Sequence, residues 1–127
     1  MEQGFPSNTP KAGSGRLFTI RENREFKRAY LKGKSYVSPV MVTYVVKNRF
    51  RRLRVGITTS KKTGNAVERN RSRRVIREAY RSLLPELKVS RQGYDIVFVA
   101  RGKTPFVKMQ DVKKAMLSHF AKAGVVK

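Results

Sequence analysis

Apolar residues recur at helical spacing near the start of the chain, in residues 23–33. One face of this predicted helix carries Phe26, Ala29 and Tyr30. Gly33 is a natural stop, because glycine readily adopts the backbone conformations that end a helix. Two starts fit the sequence: Asn23 as an N-cap, or a capping box in Thr19–Glu22. The pattern predicts a short amphipathic helix.

Residues 36–47 are rich in β-branched side chains and alternate between two faces, which predicts a strand. One face carries Val40, Val42, Tyr44 and Val46, and the other carries Met41, Thr43 and Val45. Pro39 limits pairing at the start of this strand, because proline has no N–H to donate. A second strand, 53–60, follows the basic turn 48–52, so we expect the two to form an antiparallel pair. The nearly continuous apolar run 94–100 indicates a third strand that is covered on both faces.

Two further helical patterns complete the chain. The first spans residues 69–84, and its apolar stripe holds Val75, Ile76, Ala79, Tyr80, Leu83 and Leu84. Pro85 ends it. The last helix begins at Thr104–Pro105 or several residues later, and its apolar face holds Met109, Val112, Ala115, Met116, His119, Phe120 and Ala123. The order helix, strands, helix, strand, helix predicts a small α–β sandwich of the α+β class.

Composition adds a strong charge to this picture. The chain has 127 residues, of which 30 are Lys or Arg and eight are Asp or Glu, for a formal net charge of +22. We expect a flexible tail over 1–15, which is rich in Gly, Pro and Ser, and a single domain over 16–127. Such self-repulsion favours a polyanionic partner, and nucleic acid is the commonest one.

Several classes of protein and site are disfavoured by the same composition. The chain has no cysteine and one histidine, which excludes disulfides and leaves no His/Cys set for a structural zinc ion. No apolar run approaches the roughly 20 residues that span a bilayer, and the N-terminus lacks the apolar core of a signal peptide. We expect a soluble protein of the cytoplasm with no membrane partner.

The second helix concentrates the charge: residues 68–81 read ERNRSRRVIREAYR and include six arginines. Arg73, Arg77 and Arg81 form like-charged i,i+4 pairs, each unfavourable by up to about 0.5 kcal/mol. Arg69 and Arg71 are expected at the helix N-terminus, where the dipole disfavours a cation by roughly 0.3–1 kcal/mol. Phosphate would reverse the sign of both penalties, whereas the alternative is an ordinary solvated helix face.

Residues 60–81, SKKTGNAVERNRSRRVIREAYR, resemble the signature region of the bacterial ribonuclease P protein subunit. The shared pattern runs Ser-Lys-Lys, Gly-Asn-Ala-Val, Arg-Asn-Arg, Arg-Arg and Ile-Arg. The resemblance extends upstream to 23–35 and downstream to 95–101 and the last helix. It covers roughly residues 16–123.

The resemblance implies a fold and a function. The implied fold is an α–β sandwich with a mixed four-stranded sheet and a left-handed strand–helix–strand crossover, an exception to the usual right-handed rule. The implied enzyme is a ribonucleoprotein endonuclease that removes the 5′ leader of precursor tRNA. Its RNA subunit is the catalyst and holds Mg²⁺, and one protein per RNA subunit binds that RNA and the leader. Residues 1–15 and 48–52 match nothing in the family pattern.

The resemblance also implies site residues. Those facing the catalytic RNA are Arg69, Asn70, Arg71, Arg73, Arg74 and Arg77 on the helix, with Lys61, Lys62 and Asn65 in the adjoining loop. Those of the leader cleft are Phe26, Tyr30 and Tyr44. Tyr30 stands where the family usually has Phe, which keeps the ring and adds a hydroxyl. From the residues alone, plain core packing of these three rings stays open beside base stacking, which contributes about 1–3 kcal/mol per base.

We predict no catalytic residue and no metal ligand in the protein. His119 falls on an apolar helix face, so a packed histidine is favoured over a general base. Asp95 and Asp111 have no partner carboxylate at the spacing of an acid/base pair, and residues 61–65 lack the spacing of a phosphate-binding loop.

Composition alone leaves two other RNA- or DNA-binding classes open. A structural RNA-binding protein of the ribosomal type fits the charge equally well. A helix-turn-helix protein that binds duplex DNA could present the same arginines, but the flanking strands disfavour it.

Overall fold

The structure of the protein is a computed structural model, which describes residues 18–86 and 92–126. The predicted tail at 1–15 lies outside the described residues. The strands are β1 (Phe18–Thr19), β2 (Lys34–Val37), β3 (Met41–Lys47), β4 (Leu53–Thr58) and β5 (Tyr94–Ala100). The helices are α1 (Asn23–Lys32), α2 (Ala66–Leu83) and α3 (Met109–Ala123). Short 3₁₀ turns span Lys61–Thr63, Leu84–Glu86 and Thr104–Phe106.

The strands form one mixed sheet in the order β1-β4-β5-β3-β2. This confirms the α+β class and the mixed sheet. The predicted four strands become five among the described residues, because the two-residue β1 pairs in parallel with β4, Phe18 opposite Arg54. The crossover from β4 through α2 to β5 joins parallel neighbours. Its left hand stays a prediction.

The central position of β5 overturns one expected pairing. We expected β3 and β4 to pair with each other, but β5 lies between them, antiparallel to β3 and parallel to β4. The physical reason is the composition of β5: six of its seven residues are buried, so it needs a neighbour on each edge and a layer on each face. The short 48–52 connection therefore joins β3 to β4 although β5 lies between these two strands.

The predicted strand 36–47 is a hairpin of β2 and β3. Ser38 closes the turn: its Oγ accepts from the backbone N–H groups of Val40 and Met41, each at 3.2 Å. Pro39 lies in this turn, where its missing N–H leaves no ladder bond unmade. Within β3 the predicted alternation is confirmed, because Met41, Thr43 and Val45 are buried while the intervening residues are half-buried. Val40 departs from it: it lies outside β3 and packs with the Met41 side of the sheet.

The sheet has a different layer on each face. On one face α2 and α3 pack over a large core, whose largest fully buried side chains include Tyr80, Phe98 and Phe120. On the other face α1 packs over a smaller cluster built on Ile20, Ala29 and Val97. The apolar stripes predicted for α2 and α3 face the large core, whereas of the stripe predicted for α1 Ala29 is buried, Phe26 is half-buried and Tyr30 is exposed.

Two of the three helix starts differ from those expected, and the third is one of the two alternatives. α1 is capped by neither Asn23 nor a box in Thr19–Glu22: Glu22 is the N-cap and forms a capping box with Glu25. α2 begins at Ala66, one turn before the predicted start. α3 begins at Met109, the later of the two alternatives, after the 3₁₀ turn at Thr104–Phe106.

Candidate nucleic-acid interface

A capping box fixes the start of α2, beside the predicted RNA-facing residues. The Asn65 Oδ1 atom accepts from the Glu68 N–H at 2.9 Å, and the Glu68 Oε1 atom accepts from the Asn65 N–H at 3.0 Å. Gly64 precedes the cap with φ +140°, where a Cβ would collide with Glu68. Asn65 thus has a structural role that sequence reasoning missed, although the spacing Asn-x-x-Glu is the signal for it.

Arg69 and Arg71 lie further from the helix N-terminus than expected, because α2 starts one turn earlier. The Arg69 Nη1 atom donates to the Gly64 carbonyl oxygen at 2.9 Å, so its guanidinium folds back to the helix start. Arg71 is fully exposed. The predicted dipole penalty therefore applies to the position of the Arg69 charge and much less to Arg71.

The remaining arginines of α2, together with Asn70, form a surface that we call the arginine ridge. It consists of Asn70, Arg73, Arg74, Arg77 and Arg81, all exposed or half-buried. The opposite side of the helix holds the buried Ser72, Ile76, Ala79, Tyr80 and Leu83. The Arg73 Nη1 atom donates to the Asn70 Oδ1 atom at 3.2 Å, a neutral partner. The ridge faces away from the core, as its helical spacing predicts.

Several acidic side chains are engaged away from the arginines of α2. Within residues 18–86 and 92–126, no ion pair joins an acid to Arg69, Arg71, Arg73 or Arg74. Glu68, the acid nearest the helix start, is held by its capping box. These guanidinium charges are left for an external anion.

Two lysines extend the positive charge in front of α2. Lys61 and Lys62 are exposed on a 3₁₀ turn that Ser60 caps, with the Ser60 Oγ atom accepting from the Lys62 N–H at 3.2 Å. The turn leads through Gly64 into the start of α2. Both lysines therefore precede Arg69, the first arginine of α2, by only seven or eight residues.

The three predicted cleft aromatics meet on the opposite face of the sheet, along one flank of α1. Phe26 lies on Gly56 of β4, where an added Cβ would approach the ring to 2.5 Å. The Tyr30 and Tyr44 rings stand edge to face, 5.0 Å between centroids. The Tyr30 hydroxyl lies 3.4 Å from the Thr58 Oγ1 atom. Tyr30 is 39% exposed, whereas Phe26 and Tyr44 are half-buried, so the group is part packing and part surface.

A charged network that sequence reasoning missed fastens the other flank of α1. Arg54 of β4 binds Asp95 through two bonds of 2.8 and 2.7 Å and Glu25 of α1 at 3.1 Å. Asn48 adds a 2.7 Å bond from its Nδ2 atom to Asp95. The pKa of Arg54 is raised, chiefly by the hydrogen bond to Asp95; burial opposes the rise, and the charges of Asp95 and Glu25 add to it. The network joins α1 to β4 and β5 of the sheet.

His119 lies in the core, as its place on the apolar face predicts. It is 3% exposed, and its Nδ1 atom lies 2.7 Å from the Thr43 Oγ1 atom. Burial lowers the pKa of His119, and the charge of Lys122 lowers it further. The ring is closed off from any substrate that approaches the surface.

The described side chains offer no cluster of ligands for a divalent cation. Over the described part of the chain, no group of three or more His, Cys, Asp or Glu residues could hold a metal ion. Asp95, the most buried acid, has both carboxylate oxygens engaged by Arg54 and Asn48. None of the helices in that same part is long and apolar enough to cross a membrane.

Comparison with known proteins identifies the family. The family model described as Ribonuclease P matches residues 16–124 of the chain. The chain belongs to the ribonuclease P protein family. A ribonuclease P protein component of Clostridium botulinum (strain Loch Maree / Type A3) is 42% identical over 106 residues, covering 84% of this chain and 94% of that protein. The component of Clostridioides difficile (strain 630) is 41% identical over 97 residues, covering 76% and 83%.

Solved ribonuclease P proteins share the fold. The Staphylococcus aureus protein superposes with a TM-score of 0.72 at 29% identity, covering 88% of this chain and all of that one. The Thermotoga maritima protein gives 0.69 at 28% identity, covering 82% and 96%. The arginine ridge thus belongs to a protein component of an endoribonuclease. So does the group of Phe26, Tyr30 and Tyr44, which we call the aromatic cleft.

Proposed function

We propose that the chain binds the RNA subunit of ribonuclease P and the 5′ leader of precursor tRNA, and so promotes endonucleolytic removal of the leader. The observation that carries this proposal is the pairing of two surfaces. Within the described residues no ion pair joins an acid to Arg69, Arg71, Arg73 or Arg74 of α2, and the partly exposed aromatic group of Phe26, Tyr30 and Tyr44 lies on the other face of the sheet.

The arginine ridge suits the phosphates of a folded RNA. Guanidinium groups bind phosphate through paired N–H donors, and each bound phosphate releases counterions. Like-charged neighbours such as Arg73 and Arg77 repel each other in the free protein and lose that repulsion against a polyanion. Lys61 and Lys62 extend the same contact in front of the helix.

The aromatic cleft suits a single strand. Unpaired bases expose faces that stack on aromatic rings at about 1–3 kcal/mol per base, without regard to sequence. Tyr30 and Tyr44 supply two rings, and Phe26 on Gly56 supplies the floor beside them. The leader is a single-stranded segment that precursor tRNA has and mature tRNA lacks, so a site that binds the leader distinguishes substrate from product.

The chemistry is proposed to belong to the RNA subunit. The buried His119 and the fully engaged Asp95 are not placed to act as a general base at either surface. Mg²⁺ is the cofactor that we expect on the RNA subunit. We also expect one protein per RNA subunit and action in the cytoplasm, where precursor tRNA is processed.

The RNA that copurifies with the tagged protein tests this proposal. Enrichment of the ribonuclease P RNA and of precursor tRNA over mature tRNA supports it. Cosedimentation with ribosomal subunits, with no such enrichment, would favour a structural RNA-binding protein of the ribosomal type. A preference for duplex DNA in a competition assay would favour a DNA-binding protein.

A further inference from the structure

The loop between β3 and β4 presents an aromatic ring among exposed arginines, outside both surfaces described above. It spans residues 48–52. Arg49, Phe50, Arg51 and Arg52 are all exposed, and Phe50 is 51% exposed. What distinguishes Phe50 from the other exposed apolar side chains is that exposed arginines flank it on both sides in the chain.

The loop backbone is held in one conformation. The Asn48 Oδ1 atom accepts from the Phe50 N–H at 2.8 Å, and the Asn48 Nδ2 atom donates to the Arg52 carbonyl oxygen at 3.2 Å. Arg51 has φ +56°, a left-handed conformation that costs a residue with a Cβ about 1–2 kcal/mol. Gly93 lets the chain approach closely, because a Cβ there would lie 2.7 Å from the Arg51 nitrogen.

The Phe50 ring stacks on a guanidinium that cannot move away. The Arg54 Cζ atom lies 4.4 Å from the ring centroid, and the same guanidinium is bound by Asp95 and Glu25. Because Asp95 and Glu25 more than neutralise Arg54, the positive charge around the ring comes from its neighbours. Within the described residues no ion pair joins Arg49 or Arg51 to an acid. A fixed ring flanked by free cations matches a nucleobase with its flanking phosphates.

The loop lies across α1 from the aromatic cleft. Phe26 and Tyr30 line the cleft flank of α1, whereas Glu25 binds Arg54 on the loop flank. Arg28 belongs to the loop flank as well, because its Nη2 atom donates to the Lys47 carbonyl oxygen at 2.9 Å. Helical spacing places Lys27 opposite the buried Ala29, on the outer surface of α1 between the two flanks. A single-stranded RNA that runs from the cleft across α1 therefore passes positively charged side chains before it reaches the loop.

We infer that Phe50, with Arg49 and Arg51, forms a second stacking site for the same single strand, on the part of the leader farther from the cleavage site. The inference rests on the proposed function. The cleft end near Thr58 adjoins the segment that leads to the arginines of α2, whereas the loop lies at the opposite end of β4. A leader that starts beside the RNA subunit thus reaches the cleft first and the loop second.

The test uses the reconstituted complex of full-length protein and RNA subunit. Precursor tRNAs with leaders shortened stepwise from the 5′ end are titrated, together with mature tRNA. We expect Phe50→Ala to match the wild type on short leaders and on mature tRNA, and to bind long leaders about 5- to 100-fold more weakly. Phe50→Tyr, which keeps the ring, should restore the affinity. Phe106→Ala is the matched control, because Phe106 is 66% exposed on the far side of the sheet and should bind every leader normally.

The outcomes separate this inference from the proposed function. If the wild type prefers leader-bearing tRNA and Tyr44→Ala loses that preference, but Phe50→Ala binds every leader normally, only the second site is overturned. If Phe50→Ala weakens assembly with the RNA subunit alone, or weakens binding of mature tRNA equally, the loop does not contact the leader. If the wild type shows no preference for leader-bearing tRNA, both proposals fail.

Discussion

The rings of Tyr30 and Tyr44 meet edge to face with their centroids 5.0 Å apart, although one belongs to α1 and the other to β3. The contact exists only when α1 is docked on the sheet. In an edge-to-face pair the two ring faces point in different directions. The rings therefore stabilise each other while leaving ring surface on which bases can stack.

Tyr44→Ala should weaken the binding of leader-bearing tRNA by about 1–3 kcal/mol and leave mature tRNA unaffected, because it removes a stacking ring. Equilibrium binding of both tRNAs to the reconstituted complex measures this difference. Tyr44→Phe is the control that keeps the ring and should bind normally. Equal losses for the two tRNAs would remove Tyr44 from the leader site.

Arg73→Ala or Arg77→Ala should weaken binding to the RNA subunit and make its salt dependence shallower by about one phosphate contact each. The stability of the free protein should stay level or rise, because a like-charged pair is relieved. Affinity across a salt series, with thermal unfolding in parallel, checks both effects. Lys114→Ala on α3 is the control, an exposed cation outside the arginine ridge. A large loss of stability would show that these arginines are structural.

Asp95→Asn should destabilise the protein by roughly 3 kcal/mol or more, because it leaves the Arg54 guanidinium with Glu25 as its remaining acid in a half-buried site. Urea unfolding measures the change. Glu86→Gln removes the exposed 3.7 Å pair with Lys113 and should stay within about 1 kcal/mol of the wild type. A loss for Asp95→Asn no larger than that of Glu86→Gln would mean that the network does not fasten α1.

Stability should fall as the pH drops below about 6.5, the ordinary pKa of histidine. Burial lowers the pKa of His119 in the folded state, so the unfolded chain binds the proton more readily in that range. The contribution is complete above the unfolded pKa and is lost as the pH falls from there towards the folded pKa. Thermal unfolding between pH 7.5 and about 5 should therefore show a smaller decline in His119→Gln than in the wild type. Parallel declines would contradict this role for His119.

The helices and their buried faces were predictable because each follows from local spacing. The stripe of α2 and the apolar face of α3 that carries His119 are set by the 3.6-residue period. The pairing of β3 and β4 was wrong because a short loop favours a hairpin, whereas burial of both faces of β5 is a demand of the whole fold. Local pattern cannot show which strand will be inserted between two others.

The candidate site was predictable in its residues and not in its supports. The arginines of α2 stand out as a run of like charges, and the resemblance points to Tyr30 and Tyr44. The Arg54–Asp95 bond joins positions far apart in the chain, so no spacing signals it. The Asn65 cap could have been predicted from the spacing to Glu68. The helix start was instead expected at the first residue of the arginine run, which is one turn too late.

Leader removal from precursor tRNA by the RNA subunit, with and without this protein at physiological magnesium, tests the central claim most directly. We predict that the wild-type protein stimulates cleavage and that the combined Arg73→Ala and Arg77→Ala variant stimulates it less. Cleavage by the RNA subunit that is unchanged when the protein is added would contradict the account.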